Sequence, residues 1–460
     1  MVDTISPPTG EDVSLLDGIR AAVAAGDGDQ ARACASRMLE EDALALLEDL
    51  QPVELSRLFA ILGDESLAQL LARLDDRDAA GILAKMSTAQ AADILEEIDP
   101  DDATDILEEV DPQLVEGMLF AMEPSEAAEL RDLMAYPPDS AGGIMTPAFV
   151  AISPHLRADQ AVIALRRVAE EAETVNYVYV VDDDQRLLGV LSLHALVLSP
   201  ASTRVRDLMV SDIVTVYVLA DQEEAARLLT DHDLLALPVV DDENRLVGII
   251  TGDDVADVLE AETTEDIERL GGSQPLSVPY LRASPFLLFR KRIVWLMVLF
   301  AAQFVTIGLL EGYQSEVERA TVLSIFVPIL IGTGGNVGSQ TVSTIIRAMA
   351  VGEASARHIL RILAKEVATG LALGLVMALL MFVRGLLTKQ SQVDAIDLGL
   401  TVAGTVFVLT VWATAIATIL PIVLSKLRVD PAVVSAPFIT SIIDATGVLI
   451  YFTIAQWLVL

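Results

Sequence analysis

Pro328-Ile329-Leu330-Ile331-Gly332-Thr333-Gly334-Gly335-Asn336-Val337-Gly338-Ser339-Gln340 decides how this chain is read. Its glycines come close to a dinucleotide-binding fingerprint, but the spacing fails and no strand pattern precedes them. The run lies instead inside Thr321–Ile346, an uncharged apolar stretch long enough to cross a hydrocarbon layer of roughly 30 Å. Comparable stretches occur at Ile293–Leu310, Val367–Val383, Leu398–Ser425 and Pro431–Leu460. Crowded together, they predict five membrane spans rather than a set of buried core helices. Glycines at membrane depth let helices pack closely or break, and exposed carbonyls are tolerated there only against protein or water. With the amides of Asn336 and Gln340, Gly332 and Gly335 are therefore expected to line part of a water-filled path. Bare helix packing is the other reading of the same glycines.

Asp444 is the only charged residue of the last apolar stretch and lies near its middle. A carboxylate at the bilayer centre is costly and by default marks an ion or proton path. Pro437 lacks an N–H, so the carbonyl of Thr440 is expected to be available as an oxygen ligand. A carboxylate with carbonyls and hydroxyls suits a hard cation. No His or Cys adjoins it, which argues against a zinc or copper site. Five spans with one carboxylate make a poor pore alone. A two-fold dimer would bring two Asp444 side chains to the axis, and Mg²⁺, which holds its waters tightly, suits such a site.

Working outward, the charge divides sharply. The chain of 460 residues has a net charge of −37 and a mean hydropathy of +0.52. Of its 30 Lys and Arg and 67 Asp and Glu, 13 and 9 follow residue 274, leaving 17 and 58 before it. The first half is thus strongly acidic, repels nucleic acid and attracts cations. Arg290, Lys291, Arg292, Arg347, Arg357, Arg361, Lys365, Lys426 and Arg428 flank one side of the spans; Arg319, Arg384 and Lys389 flank the other. The richer side faces the cytoplasm. This predicts a multi-pass protein of a bacterial-type cytoplasmic membrane, with the N-terminus inside and the C-terminus outside. The polar N-terminus carries no signal-peptide pattern, and the lone Cys34 fits a reducing compartment.

A twelve-residue period runs through the acidic half, with breaks at Gln51-Pro52, Gly63-Asp64, Asp75-Asp76, Ser87-Thr88, Asp99-Pro100, Asp111-Pro112 and Glu123-Pro124. Pro in a first helical turn beside a capping acidic residue starts a helix. Each unit is too short to bury its apolar face alone, so a stacked superhelix is expected. A second repeat follows. Met145-Thr146-Pro147 is answered by Met209-Val210-Ser211, Val178–Asp182 by Leu237–Asp241, and Leu187–Ser192 by Leu246–Thr251. This resembles a tandem pair of CBS modules. Their ribose-binding pattern, a hydroxyl residue three before Asp, is present as Thr251 and Asp254, whereas Ser192 is followed by Ala195. Adenine nucleotide such as ATP is a possible ligand. The turns Asp182-Asp183-Asp184 and Asp241-Asp242-Glu243 lack the Gly and distal Glu of a calcium loop and read as hairpins. From Asp253 a helix carries Asp254, Asp257, Glu262, Glu265 and Asp266 on neighbouring turns until Gly271-Gly272 ends it. A ligand neutralising this connector would bias whatever it touches in the membrane.

The domain plan is a disordered tail (1–20), an acidic α-helical superhelix (21–138), an α/β tandem CBS pair (139–252), a connecting or plug helix (253–273) and a five-helix transmembrane domain (274–460). In this plan, and in Gly332–Gln340, Asp430-Pro431-Ala432 and Pro437 followed by Asp444, the chain resembles the MgtE-type magnesium transporters. The resemblance implies a homodimeric Mg²⁺ channel in the membrane lipid, closed by cytosolic Mg²⁺, with the aspartate matching Asp444 holding the pore ion. It implies cytosolic Mg²⁺ sites among Glu223, Asp233, Asp254, Asp257, Glu265 and Asp266, with Asp430 at the inner mouth and Asp102 and Asp105 as the superhelix partners; Glu262, on the helix of Asp254, Asp257, Glu265 and Asp266, is a further metal candidate. Ser339 departs from an expected Asn, and Leu234 stands where an aromatic could stack a nucleotide. The alternative is a proton- or cation-coupled carrier of Co²⁺, Ni²⁺ or Mn²⁺. No enzyme is expected, since His155, His194, His232 and His358 form no site, and neither nucleic acid nor a protein partner is implied.

Overall fold

The structure is a computed structural model that describes residues 18–19, 21–22, 25–35, 37, 58–168, 172–276, 278–350, 353–354, 356–388, 393–427 and 435–459. Asp430 of the inner mouth and most of the expected tail lie outside these residues. The chain divides into two compact units, Met1–Leu259 and Glu260–Leu460.

In the first unit α1 (Gly28–Ala35) precedes six helices that begin every twelve residues: α2 (Asp64–Leu71), α3 (Asp76–Leu83), α4 (Thr88–Leu95), α5 (Pro100–Glu108), α6 (Pro112–Ala121) and α7 (Pro124–Leu133). The period sets their starts. Pro occupies the first turn of α5, α6 and α7, and Asp75 and Asp111 accept a bond from the backbone N–H two residues on. Helices of two to three turns are unstable alone. Each therefore packs against the second helix along, α2 on α4, α3 on α5, α4 on α6 and α5 on α7. Pairs such as Ile82-Leu83, Ile94-Leu95 and Ile106-Leu107 fill one continuous core.

Two three-stranded sheets follow, β1 (Ala151–Ile152), β2 (Tyr177–Val181) and β3 (Leu187–Ser192), then β4 (Val216–Tyr217), β5 (Ala236–Val240) and β6 (Leu246–Thr251), with the middle strand parallel to the first and antiparallel to the third in both. The four helices around them are α8 (Ala158–Val168), α9 (Leu193–Leu198), α10 (Val205–Leu208) and α11 (Gln222–Asp231). Both acidic turns are hairpins. Asp182 Oδ1 accepts from the Asp184 and Arg186 N–H groups at 2.9 Å, and Asp241 Oδ1 from Glu243 and Arg245 at 2.9 and 2.8 Å. The repeated methionines are exchanged between modules. Gly248 of the second faces Met145 so closely that a Cβ would lie 2.6 Å from its sulfur, and Gly189 of the first faces Met209 at 2.7 Å.

Helix α12 (Gly252–Leu270) carries residues of both units. The second unit contains α13 (Pro285–Gly312), the short α14 (Gln314–Arg319), α15 (Val322–Ala350), α16 (Ile359–Leu386), α17 (Ala395–Lys426) and α18 (Ala436–Leu458). All but α14 are long and apolar enough to cross a membrane. The helices outrun the apolar stretches because their charged turns continue past the hydrocarbon: α13 begins eight residues before Ile293 and includes Arg290, Lys291 and Arg292. Helix α17 is central, packing on α15, α16 and α18. Its buried Thr401, Thr405, Thr410 and Thr418 donate to carbonyls four residues back at 2.7 Å, which satisfies them inside apolar surroundings. Pro437 sits in the first turn of α18, where a missing N–H breaks no helical bond. The expected release of a mid-span carbonyl at Thr440 therefore does not occur.

Gly272 ends the connecting segment at φ +75°, and a Cβ on it would lie 2.7 Å from Trp295 Cδ1. Gly272→Ala combines a left-handed backbone with overpacking. It is expected to destabilise this unit by about 1–3 kcal/mol, measured as a lowered Tm of the detergent-solubilised chain.

Candidate functional site

The glycine-rich stretch forms one unbroken helix within α15. Its glycines divide between two faces. Gly334, Gly335 and Gly338 are buried against α18: a Cβ on Gly335 would sit 2.9 Å from Thr440 Cγ2, one on Gly334 2.8 Å from Ile443 Cγ2, and one on Gly338 would overlap Ile443 Cδ1. These residues let side chains of α18 pack directly on the backbone of α15. Gly332, Asn336 and Gln340 recur every four residues on the other face and are exposed, as are Pro328 and Thr344 in the same row. A row of amides and open backbone on the outside of a spanning helix is costly against lipid.

Across the packed face, Ser339 Oγ lies 3.1 Å from Thr440 Oγ1, and the Thr440 hydroxyl donates to the Ala436 carbonyl at 3.0 Å. One turn on, and on the same helix face, comes Asp444. It is half-buried. Gln303 of the first span hydrogen-bonds its carboxylate, while its Oδ1 is enclosed and has no partner among the described residues. Gln303 was not legible as a site residue, because a lone amide in an apolar run carries no spacing signal.

The first unit gathers a second carboxylate group where the superhelix meets the start of α12. Asp254 accepts from the Thr251 N–H at 2.9 Å and the Thr251 hydroxyl at 2.8 Å, so the two residues of the ribose pattern engage each other. Around Asp254 stand acids whose proton affinity is raised by burial first and then by one another. Asp101 is held at about 7, with Asp254 and Asp102 the charges that act on it most. Asp102 is at about 7, under Asp99 and Asp254. Asp105 is at about 8, under Asp76 and Glu108. Asp76 is at about 6, with Asp257 among its neighbours, and Glu173 is at about 7, under Asp99 and Asp101. Asp254 itself is raised, by burial first. Asp101 is 8% exposed, and its Oδ1 has no partner among the described residues. A buried, unpartnered carboxylate oxygen among further carboxylates is the donor chemistry of a hard divalent cation.

Asp102, Asp105, Asp254 and Asp257 of the expected set thus come together, joined by Asp76, Asp101 and Glu173. The other members lie elsewhere. Glu223 pairs with Arg227 on α11, Asp233 follows that helix with φ 52°, Glu265 pairs with Arg269, and Glu262 and Asp266 lie along α12. Among the described residues no three His, Cys, Asp or Glu side chains converge as a ready metal cage.

The comparisons with known proteins agree with this architecture. The divalent cation transporter domain of the MgtE family matches residues 327–454, the MgtE intracellular N domain residues 38–139, and CBS domains residues 141–200 and 205–261. The magnesium transporter MgtE of Thermus thermophilus is 43% identical over 338 residues, 73% of this chain and 74% of that one. The magnesium transporter MgtE of Bacillus subtilis is 36% identical over 337 residues, 73% of each. A crystal structure of the soluble part of a magnesium transporter superposes with a TM-score of 0.51 at 30% identity, covering 55% of this chain and 99% of that one.

Proposed function

The chain belongs to the MgtE family of divalent cation transporters, and from that premise we propose that it conducts Mg²⁺ through a pore shared by two copies of itself. The observation that carries the reading is Asp444, a lone intramembrane carboxylate with an enclosed and unpartnered oxygen. On the face of α15 turned away from α18, the polar row Gly332, Asn336 and Gln340 lies open on the outside of one copy. A second copy related by a two-fold axis would cover that row and pair the two carboxylates. Two charges with hydroxyl and amide oxygens then meet one divalent ion through its retained waters. The basic flanks put the acidic half in the cytoplasm, so a negative interior drives the ion inward.

The acidic group around Asp101 serves as the sensor in this proposal. Mg²⁺ entering it removes the mutual repulsion of Asp76, Asp101, Asp102, Asp105, Asp254 and Asp257. The superhelix then closes on the start of α12, and the connecting helix closes the pore. Asp430 at the inner mouth and Glu265 and Asp266 further along α12 complete the ion path and the gate. Adenine nucleotide, bound through Thr251 and Asp254, would act on the same start of α12.

The full chain in phosphatidylcholine vesicles, with a Mg²⁺-sensitive dye inside and a potassium-set negative potential, is expected to admit Mg²⁺ without a pH gradient. Influx that appears only with a proton or sodium gradient would replace the pore with a coupled carrier.

A further inference from the structure

A cavity of about 530 Å³ lies in the second unit between the last turns of α12 and the first turns of α13. It falls within the roughly 300–1,000 Å³ of small-ligand pockets. Glu265 and Arg269 on α12, Ser273 and Gln274 in the turn, and Lys291 and Trp295 on α13 line it. The turn is pinned across the opening. The Gln274 N–H donates to the Lys291 carbonyl at 3.1 Å, and the Leu276 N–H donates to a Glu268 carboxylate oxygen at 2.6 Å. Trp295 is fixed at the back, its indole N–H on Ser435 Oγ at 2.9 Å. Glu265 pairs with Arg269. Lys291 is half-buried and forms no ion pair among the described residues. Two cations against one carboxylate leave the lining one positive charge in excess, which one phosphodiester monoanion balances.

The position of the cavity selects the source of that anion. It opens beside the charged first turns of a spanning helix, with Arg290 and Arg292 exposed on either side of Lys291. Phe286 and Phe289, 72% and 57% exposed, stack one turn earlier. Trp and basic residues at this level mark the headgroup layer. Exposed aromatic surface next to a charged cavity fits an amphiphile rather than a free ion.

We propose that the cavity holds the phosphodiester headgroup of an anionic membrane lipid, with Lys291 as its principal cation, tying the connecting helix to the first span. The site stands independently of the transport reading, and its test reads binding alone. The full chain in an uncharged detergent is offered phosphatidylglycerol or phosphatidylcholine, and bound lipid is counted by native mass spectrometry. Phosphatidylglycerol is expected to be retained over phosphatidylcholine. K291Q is expected to weaken it about fivefold, the effect of one cation beside an anionic headgroup, and K291R to restore it. R361Q, which removes an exposed cation of the same flank outside the cavity, is expected to change nothing. E265Q, which adds to the positive excess, is expected to strengthen retention and keeps the test open if K291Q fails to fold. Equal retention in K291Q and the parent, an equal loss in R361Q, or a weakening in E265Q would overturn the site. Displacement of the lipid by inorganic phosphate alone would overturn the lipid as its occupant.

Discussion

Asp444→Asn is expected to lower Mg²⁺ influx at least about a hundredfold while leaving the detergent-solubilised chain folded. The substitution keeps the shape of the side chain and its partner Gln303 but removes the charge. A unit charge about 4 Å from another is worth roughly 4 kcal/mol at the effective dielectric of a partly buried site. Each 1.4 kcal/mol or so is a factor of ten. The ion carries two charges, and in the proposed pair both carboxylates are lost at once, so a hundredfold is a conservative figure. Influx through Asp444→Asn vesicles at the parent rate would remove Asp444 from the ion path. The polar row on α15 would then need another explanation.

The second large effect is a pH dependence that Mg²⁺ erases. Asp76, Asp101, Asp102, Asp105 and Glu173 hold protons up to about 6, 7, 7, 8 and 7 in the folded chain, against 3.8 for Asp and 4.5 for Glu ordinarily. Between these limits the folded state binds more protons than the unfolded state, so stability falls as pH rises. The docking of α5 near α12 is therefore fully stable below about pH 4, weakens through the window up to about 8, and is flat above it. In the proposed sensor, divalent cation competes for the same oxygens and is expected to restore the contact. Amide exchange of Pro100–Glu108 in the full chain is the measurement. Without divalent cation, its protection is expected to fall at least about tenfold from pH 5 to 8.5, the change that one pK unit of one group carries. Millimolar Mg²⁺ at pH 8.5 is expected to return it. Protection that ignores both pH and Mg²⁺ would separate this group from any sensing role. Asp101→Asn, which removes the most enclosed charge, is expected to keep α5 protected at high pH without the ion.

The architecture was legible because local chemistry and global packing agree in it. Pro, an acidic residue or a capping Ser at every twelfth residue names the helix starts from Asp64 to Pro124, and all six occur where the period puts them. The spans were legible in number because, Asp444 apart, charge is excluded from the apolar stretches. Their ends were not, since Arg290–Arg292 terminate an apolar pattern without terminating a helix. The same repetition that revealed the superhelix concealed the acids of the proposed sensor. Asp76 and Asp101 sit in first turns like their counterparts throughout the repeat, and what sets them apart is the charge of Asp257 and Asp254 on α12 acting on them. The glycine-rich stretch was ambiguous for a related reason. Glycine spacing specifies close approach, not what approaches: Gly334, Gly335 and Gly338 lie against α18, while Gly332 is open.

The crossed methionines of the α/β pair bear on ancestry and on failure. Met145 completes the core beside Gly248, and Met209 lies in the gap at Gly189. Each half thus lends its partner a side chain that it cannot use itself. Two separate copies of a single ancestral half could have traded the same residue, and joining them end to end would have preserved the trade. A cut between Ser199 and Thr203 therefore leaves two incomplete pieces rather than two domains. A side chain added at Gly189 ejects a methionine contributed from the opposite end of the duplication, and one lesion unseats both halves.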